Sequence, residues 1–249
     1  LADPYILGIS SGASVGAVAV IVLGAGVATV GLTGGAFIGG VAAFAMMLGL
    51  ARLTGGTTDK IILAGVAATQ LFSALTSLIV MVSADAETTR GVLFWMLGSL
   101  ASTSWADVFI AACVVGVAAI AAMARSAHLD AFTFGEDSAA ALGVDVAKLR
   151  FLLLTLTAAV TATLVASSGA IGFVGLVVPH IARILVGPVH RTMLPMTVVV
   201  GAILLVWVDA LARTIAAPQE IPVGVFTAII GVPAFIAVLL HASRKESTR

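Results

Sequence analysis

The chain has 249 residues, 61% of them hydrophobic and only 10% charged, with twelve basic and twelve acidic side chains cancelling to zero net charge. Soluble domains carry roughly 25% charged residues, so a mean hydropathy of +1.20 places this chain in a bilayer rather than in water. Zero net charge argues against a nucleic-acid surface, and the single Cys113, inside an apolar run and read as packing, excludes an intrachain disulfide.

Apolar runs of about 20 residues, the length that crosses a hydrocarbon core, recur with short polar breaks and leave no room for a soluble domain. They predict an all-α polytopic transmembrane helix bundle occupying residues 1–249 as one domain, with eight spans at 6–28, 33–51, 60–83, 105–124, 151–168, 170–186, 193–212 and 222–242. The opening "LADPYILGISSGASVGAV" has neither an initiator Met nor signal-peptide features, which predicts that the sequence enters a longer polypeptide partway along. "VGLTGG" and "SSGAIG" predict tight hairpins between the first and second spans and between the fifth and sixth. Glycines at four-residue spacing, Gly12 and Gly16, then Gly31, Gly35 and Gly39, predict close helix packing, because lipid tails supply no hydrophobic drive and small residues let backbones approach.

In the third span, Gln70, Ser73 and Ser77 recur on one helical face, which either lines an aqueous path or hydrogen-bonds another helix. "GVLFWMLGSLAS" (Gly91 to Ser102) is too short to span and predicts an interfacial helix with Trp95 near the headgroups. The longest break, Ala124 to Arg150, contains "GEDSAAALG": acidic residues favour a helix start, alanines fill its middle, and Gly143 follows as a C-cap. Pro179, Pro195, Pro222 and Pro233 lie in or at the start of spans, where kinks are tolerated. Asp209 and Arg213, four residues apart at the end of the seventh span, are spaced for one ion pair. An even number of spans puts both termini on one side, together with ten of the twelve basic residues, Arg90 and Arg213 alone lying opposite. The positive-inside rule then makes both ends cytoplasmic.

Two chemical motifs carry little. "GISSG" around Ser10 fits G-x-S-x-G, but a nucleophile elbow needs a strand before the serine and a helix after it, and here an apolar span begins. His128, His190 and His241 sit at span ends, too scattered for a metal site, and no P-loop occurs, so any ATP would be handled by a partner. Two competing readings follow from single residues: an intramembrane hydrolase using Ser10 and His180, and an ion-coupled secondary transporter depending on Asp209.

"LADPYILGISSGASVGA", "GFVGLVVPHIARILVGPVHR" and "EIPVGVFTAIIGVPAFIAVLL", in that order and spacing, resemble the FecCD-type permeases, the membrane subunits of ABC importers for iron-siderophores, haem and cobalamin. The resemblance covers essentially the whole chain and implies ten helices in the full protein, two of them preceding Leu1. It implies that segment 126–150 carries a coupling helix, with Gly135, Glu136, Ala139, Leu142 and Gly143 seated in a groove of an ATP-hydrolysing subunit. Gly143 stands one residue later than the E-A-A-x-x-x-G spacing of other importers. It further implies that Thr57 and Thr58 of "TGGTTDK" gate the cytoplasmic end of a pathway walled by small and weakly polar residues such as those of the third span. Arg213 would dock acidic residues of an extracytoplasmic substrate-binding protein. The implied assembly holds a second permease copy and two ATP-binding subunits in the cell membrane. No cofactor is bound by the permease itself; ATP and Mg belong to the partner ATPase.

Overall fold

A computed structural model describes residues 7–23, 31–83 and 86–246, which form eleven α-helices with no strand among them. The "LADPYI" opening, residues 24–30 at the end of the first predicted span and start of the first predicted hairpin, Ala84, Asp85 and residues 247–249 lie outside the described residues. Helices α2 (Gly31–Leu53), α3 (Thr58–Ser83), α5 (Trp105–Ala124), α8 (Val146–Ser168) and α10 (His190–Thr214) are long and apolar enough to cross a membrane. The other three predicted positions hold α1 (Ile9–Leu23), α9 (Val174–Val186) and α11 (Val223–Glu246), with shorter apolar stretches at Ile9–Val22, Val174–Val186 and Val223–Ile236. Three further short helices, α4 (Ala86–Met96), α6 (Ser126–Phe132) and α7 (Glu136–Ala141), complete the set.

The chain divides into two units, residues 1–115 with 154–170, and residues 116–153 with 171–249. In the first, α1 packs against α2, α3 and α4. The α1–α2 contact is backbone on backbone: a Cβ built on Gly12 would meet the carbonyl of Gly39, one on Gly16 the carbonyl of Gly35, and one on Gly39 the carbonyl of Gly12. Around this seam lie the buried Ala13, Ala17 and Ala36, with Ile9, Met47 and Ala162 in a neighbouring cluster. Gly31 has open space instead, and the described part of "VGLTGG", residues 31–35, lies inside helix α2.

Two other expectations are corrected. Helix α4 starts five residues earlier than Gly91 and stops at Met96, since Glu87 favours its first turn and Gly98, at φ 75°, ends it. Trp95 packs against the cluster of Ala13, Ala17, Ala36, Val165 and Ala166, a contact its residue type did not signal. Cys113 is exposed, on a helix with no buried residue.

In the second unit, α9 packs on α10 and α11, and α10 also meets α6, which in turn meets α7. Val177, Val178 and Ala182 of α9 and Met193, Val208 and Ala212 of α10 are buried. The Phe173 ring fills the space that a side chain at Gly231 of α11 would need.

Candidate functional site

The first unit holds a cavity of about 280 Å³ between α1, α3 and α4. Seven of its nine lining residues bear hydroxyls, Ser10, Ser11 and Ser14 from α1 and Thr69, Ser73, Thr76 and Ser77 from α3, with Met96 and Ala170 beside them, although most of the exposed wall is apolar. The helical backbone takes up most of the hydroxyl hydrogens. Ser11 donates to the Gly8 carbonyl at 3.0 Å, Ser14 to Ser10 at 3.1 Å, Thr69 to Gly65 at 2.9 Å, Thr76 to Phe72 at 3.0 Å and Ser77 to Ser73 at 3.0 Å. Donation to the preceding turn leaves the oxygen lone pairs as the polar part of a largely apolar wall that carries no charge. Ser73 and Ser77 are brought together here. Gln70 is exposed on α3 and is not part of the wall.

Thr57 and Thr58 stand, exposed, where the α2–α3 connection enters α3. The connection is a Schellman cap: Gly56 N–H donates to the Ala51 carbonyl at 2.8 Å and Gly55 N–H to Arg52 at 3.2 Å, with Gly55 at φ 98° and Gly56 at φ 66°. Lys60 Nζ donates to the Thr54 carbonyl, tying the turn to the first turn of α3.

In the second unit, Gly135, Glu136, Ala139, Leu142 and Gly143 are gathered on one element. Gly135 precedes α7, Ala139 is fully buried, and Leu142 caps the helix end with 72% of its surface exposed. Phe134, one residue before Gly135, is 76% exposed, so two large apolar side chains flank a helix of six residues. The end is again a Schellman cap, Val144 N–H to the Ala139 carbonyl and Gly143 N–H to Ala140, at 3.1 and 2.9 Å. Gly143 sits at φ +85°, where an L-residue costs roughly 1–2 kcal/mol. Gly143→Ala is therefore expected to speed amide hydrogen exchange in α7 about tenfold while exchange in α10 stays unchanged; equal protection of α7 in both proteins would refute the cap. Glu136 forms an ion pair with Arg150 of α8, and Asp145 with Lys148 at 2.8 Å.

Helix α6 was not signalled by the sequence, being short and weakly patterned. Its Asp130 accepts the backbone N–H of His190 at 2.9 Å and the His190 ring nitrogen Nδ1 at 2.6 Å. These bonds, the backbone one first, hold the Asp130 carboxyl below its ordinary value of 3.8. Its contribution to the fold is therefore complete above that value and is lost as acidification carries pH below it.

Arg213 pairs with Asp209 within α10, Nε to Oδ2 at 2.8 Å, as their spacing requires, and the guanidinium side chain stays 42% exposed. Ser10 lies in the first turn of α1, and among the described residues no strand leads into it as a nucleophile elbow requires. His180 is half-buried in α9. Among the described residues no group of His, Cys, Asp and Glu is arranged to hold a metal ion.

Residues 1–241 match the FecCD transport family. The chain belongs to that family. Its FecCD relatives include the cobalamin import system permease protein BtuC of Halobacterium salinarum, 42% identical over 96% of this chain and 64% of that protein. The hemin transport system permease protein HmuU of Yersinia pestis is 36% identical over 99% of this chain and 75% of its own length. The Fe(3+) dicitrate transport system permease protein FecD of Escherichia coli is 38% identical over 97% and 74%. The chain thus spans just under two thirds of the halobacterial relative. Among solved structures, an inward-facing conformation of a metal-chelate type ABC transporter superposes with a TM-score of 0.88 at 33% identity, covering 97% of this chain and 76% of that one. The all-helical FecCD fold anticipated from the sequence is therefore the fold found.

Sequence reasoning missed Asp130, Arg150, Ser11 and Ser14 as contact or cavity residues, and it weighed Ser10 and His190 only for hydrolytic or metal-binding roles. Helical spacing could flag Ser10 and Ser14 as four apart, but nothing local links Asp130 to a residue sixty positions on.

Proposed function

We propose that this chain is the permease subunit of an ATP-driven, binding-protein-dependent importer of a metal chelate, with an iron-siderophore as the first cargo to test and haem and cobalamin next. The observation that carries the reading is the family match across residues 1–241, with relatives named as permeases for cobalamin, hemin and ferric dicitrate. In this reading the hydroxyl wall of α1 and α3 is a stretch of the pathway. Uncharged acceptors wet a bulky chelate without binding it tightly, which suits passage, since a strong site would retain what it should release. Thr57 and Thr58 form the gate at the cytoplasmic end. The α7 element docks on the ATP-hydrolysing partner through Leu142, with Glu136 fixing its start, and Arg213 meets carboxylates of the substrate-binding protein at the outer rim, where a planar guanidinium is suited to bidentate pairing. Both termini are cytoplasmic, two permease copies and two ATPase subunits make the assembly, and ATP with Mg stays on the partners. Alternating access then opens the pathway to one side at a time.

The test is uptake of a ferric siderophore, haem or cobalamin into proteoliposomes holding the full-length permease, its ATPase and its binding protein. Accumulation of one chelate that requires ATP is expected. Uptake driven by an ion gradient without the ATPase, and abolished by Asp209→Asn, would replace this reading with secondary transport.

A further inference from the structure

Helices α6 and α7 each carry a carboxylate that reaches beyond its own helix: Glu136 of α7 to Arg150 of α8, and Asp130 of α6 to His190 of α10. The second contact has the features of a mechanical joint. A single oxygen, Asp130 Oδ1, accepts from both the backbone N–H and the ring Nδ1 of His190; because a carboxylate can only accept, Nδ1 carries the proton. His190 is the first residue of α10, whose N-terminal N–H groups have no partner inside the helix and whose dipole favours an anion there. Val189, in the N-cap position, makes no side-chain cap bond, so the cap of α10 comes from α6. Helix α6, with seven residues, no side-chain bond at its N-cap and only the Thr133 hydroxyl on the Asp130 carbonyl at its other end, is too short to hold its place alone. It touches both α7 and α10. The side chains are 35% and 16% exposed, which shields the contact from water on the histidine side.

We infer that Asp130 and His190 are a positioning pair that passes displacement of α7, by way of α6, to the N-terminal end of α10. The inference rests on the reading of α7 as the element that docks the ATP-hydrolysing partner. It adds a second branch to that of Glu136 and Arg150, so one docked helix drives two long ones. A joint made at both a backbone and a ring atom resists rotation of α6 as well as separation from α10. A hydrophobic contact, being non-directional, would resist only separation.

The experiment measures ATP hydrolysis and chelate uptake in the same proteoliposomes, made with the full-length permease, its ATPase and its binding protein. In Asp130→Ala the ATPase is expected to stay bound and active while chelate moved per ATP falls about tenfold, the size expected for losing a charge-assisted hydrogen bond. Asp130→Asn keeps an oxygen for the His190 N–H and should recover most of that ratio. His190→Ala, which retains the N–H, should fall between. The double variant Asp130→Ala with His190→Ala should be no worse than Asp130→Ala alone, because both remove one contact. An unchanged uptake-to-hydrolysis ratio in Asp130→Ala overturns the inference. So does a proportional loss of both activities in Asp130→Asn and His190→Ala, which would mean the pair only holds the fold together. Failure of the wild-type permease to bind an ATPase at all is a separate result: it removes the transport reading first, and this inference with it.

Discussion

Replacing Gly16 with leucine is expected to cost the chain its folded state, whereas Gly49→Ala, also on the α1–α2 pair, is expected to leave it intact. At Gly16 a Cβ alone would lie 2.7 Å from the Gly35 carbonyl carbon and 3.2 Å from the Gly39 Cα, besides meeting the Gly35 oxygen. Those are backbone atoms, which cannot turn aside as a side chain can, so the helices must separate along the seam. Separation removes the packing of Ala13, Ala17 and Ala36, and lipid offers no hydrophobic penalty to hold the helices together. The cost should reach or exceed the upper end of overpacking penalties, about 3 kcal/mol. Gly49 has nothing within 4 Å of its Cβ position, and there alanine gains up to about 1 kcal/mol of helix propensity. Monodispersity and thermal unfolding in detergent separate the two. A Gly16→Leu protein as stable as wild type would mean that α1 and α2 do not meet at this seam.

The second large effect is expected at the ends of α7. Phe134 and Leu142 contribute little to the chain's own core, being 76% and 72% exposed, so Phe134→Ser with Leu142→Ser should fold normally. If both are buried by the ATP-hydrolysing partner, each forfeits roughly 1.5–3 kcal/mol of burial. Partner affinity should then fall at least a hundredfold and ATP-driven uptake should disappear. Titration of the labelled ATPase onto the reconstituted permease measures this directly. Wild-type affinity in the double variant would place the docking surface elsewhere. A folding defect, revealed by the same thermal assay, would contradict the exposure of these two residues.

Much of the architecture was legible because it is local. A run of about 20 apolar residues has few options in a bilayer, and each of the eight predicted spans coincides with an apolar helix among the described residues. The α7 reading succeeded for the same reason: Glu136 and Asp137 at its start, alanines through it and Gly143 after it are all signals within nine residues. The Asp209–Arg213 pair, one helical turn apart, belongs to the same class.

Periodicity was less informative about what each face meets. Gln70, Ser73 and Ser77 share helical spacing, yet only the serines reach the cavity, because its wall is set by where α1 and α4 lie against α3. Gly31 and Gly35 share a repeat, but only Gly35 faces another backbone. Residue type suggested an interfacial position for Trp95, but gave no sign of its packing on the α1, α2 and α8 alanine and valine side chains.

By itself the sequence determined the membrane class, the positions of the apolar helices, the cap of α7 and, through three long motifs in register, the family. Each depends on residues a turn or a span apart, or on composition, and so survives without knowledge of neighbours. Only the tertiary structure decided which small residues are seams, which hydroxyls share a cavity and that Asp130 caps a helix sixty residues away. Those properties depend on pairs of atoms brought together by packing, and chain order does not specify the distance between them.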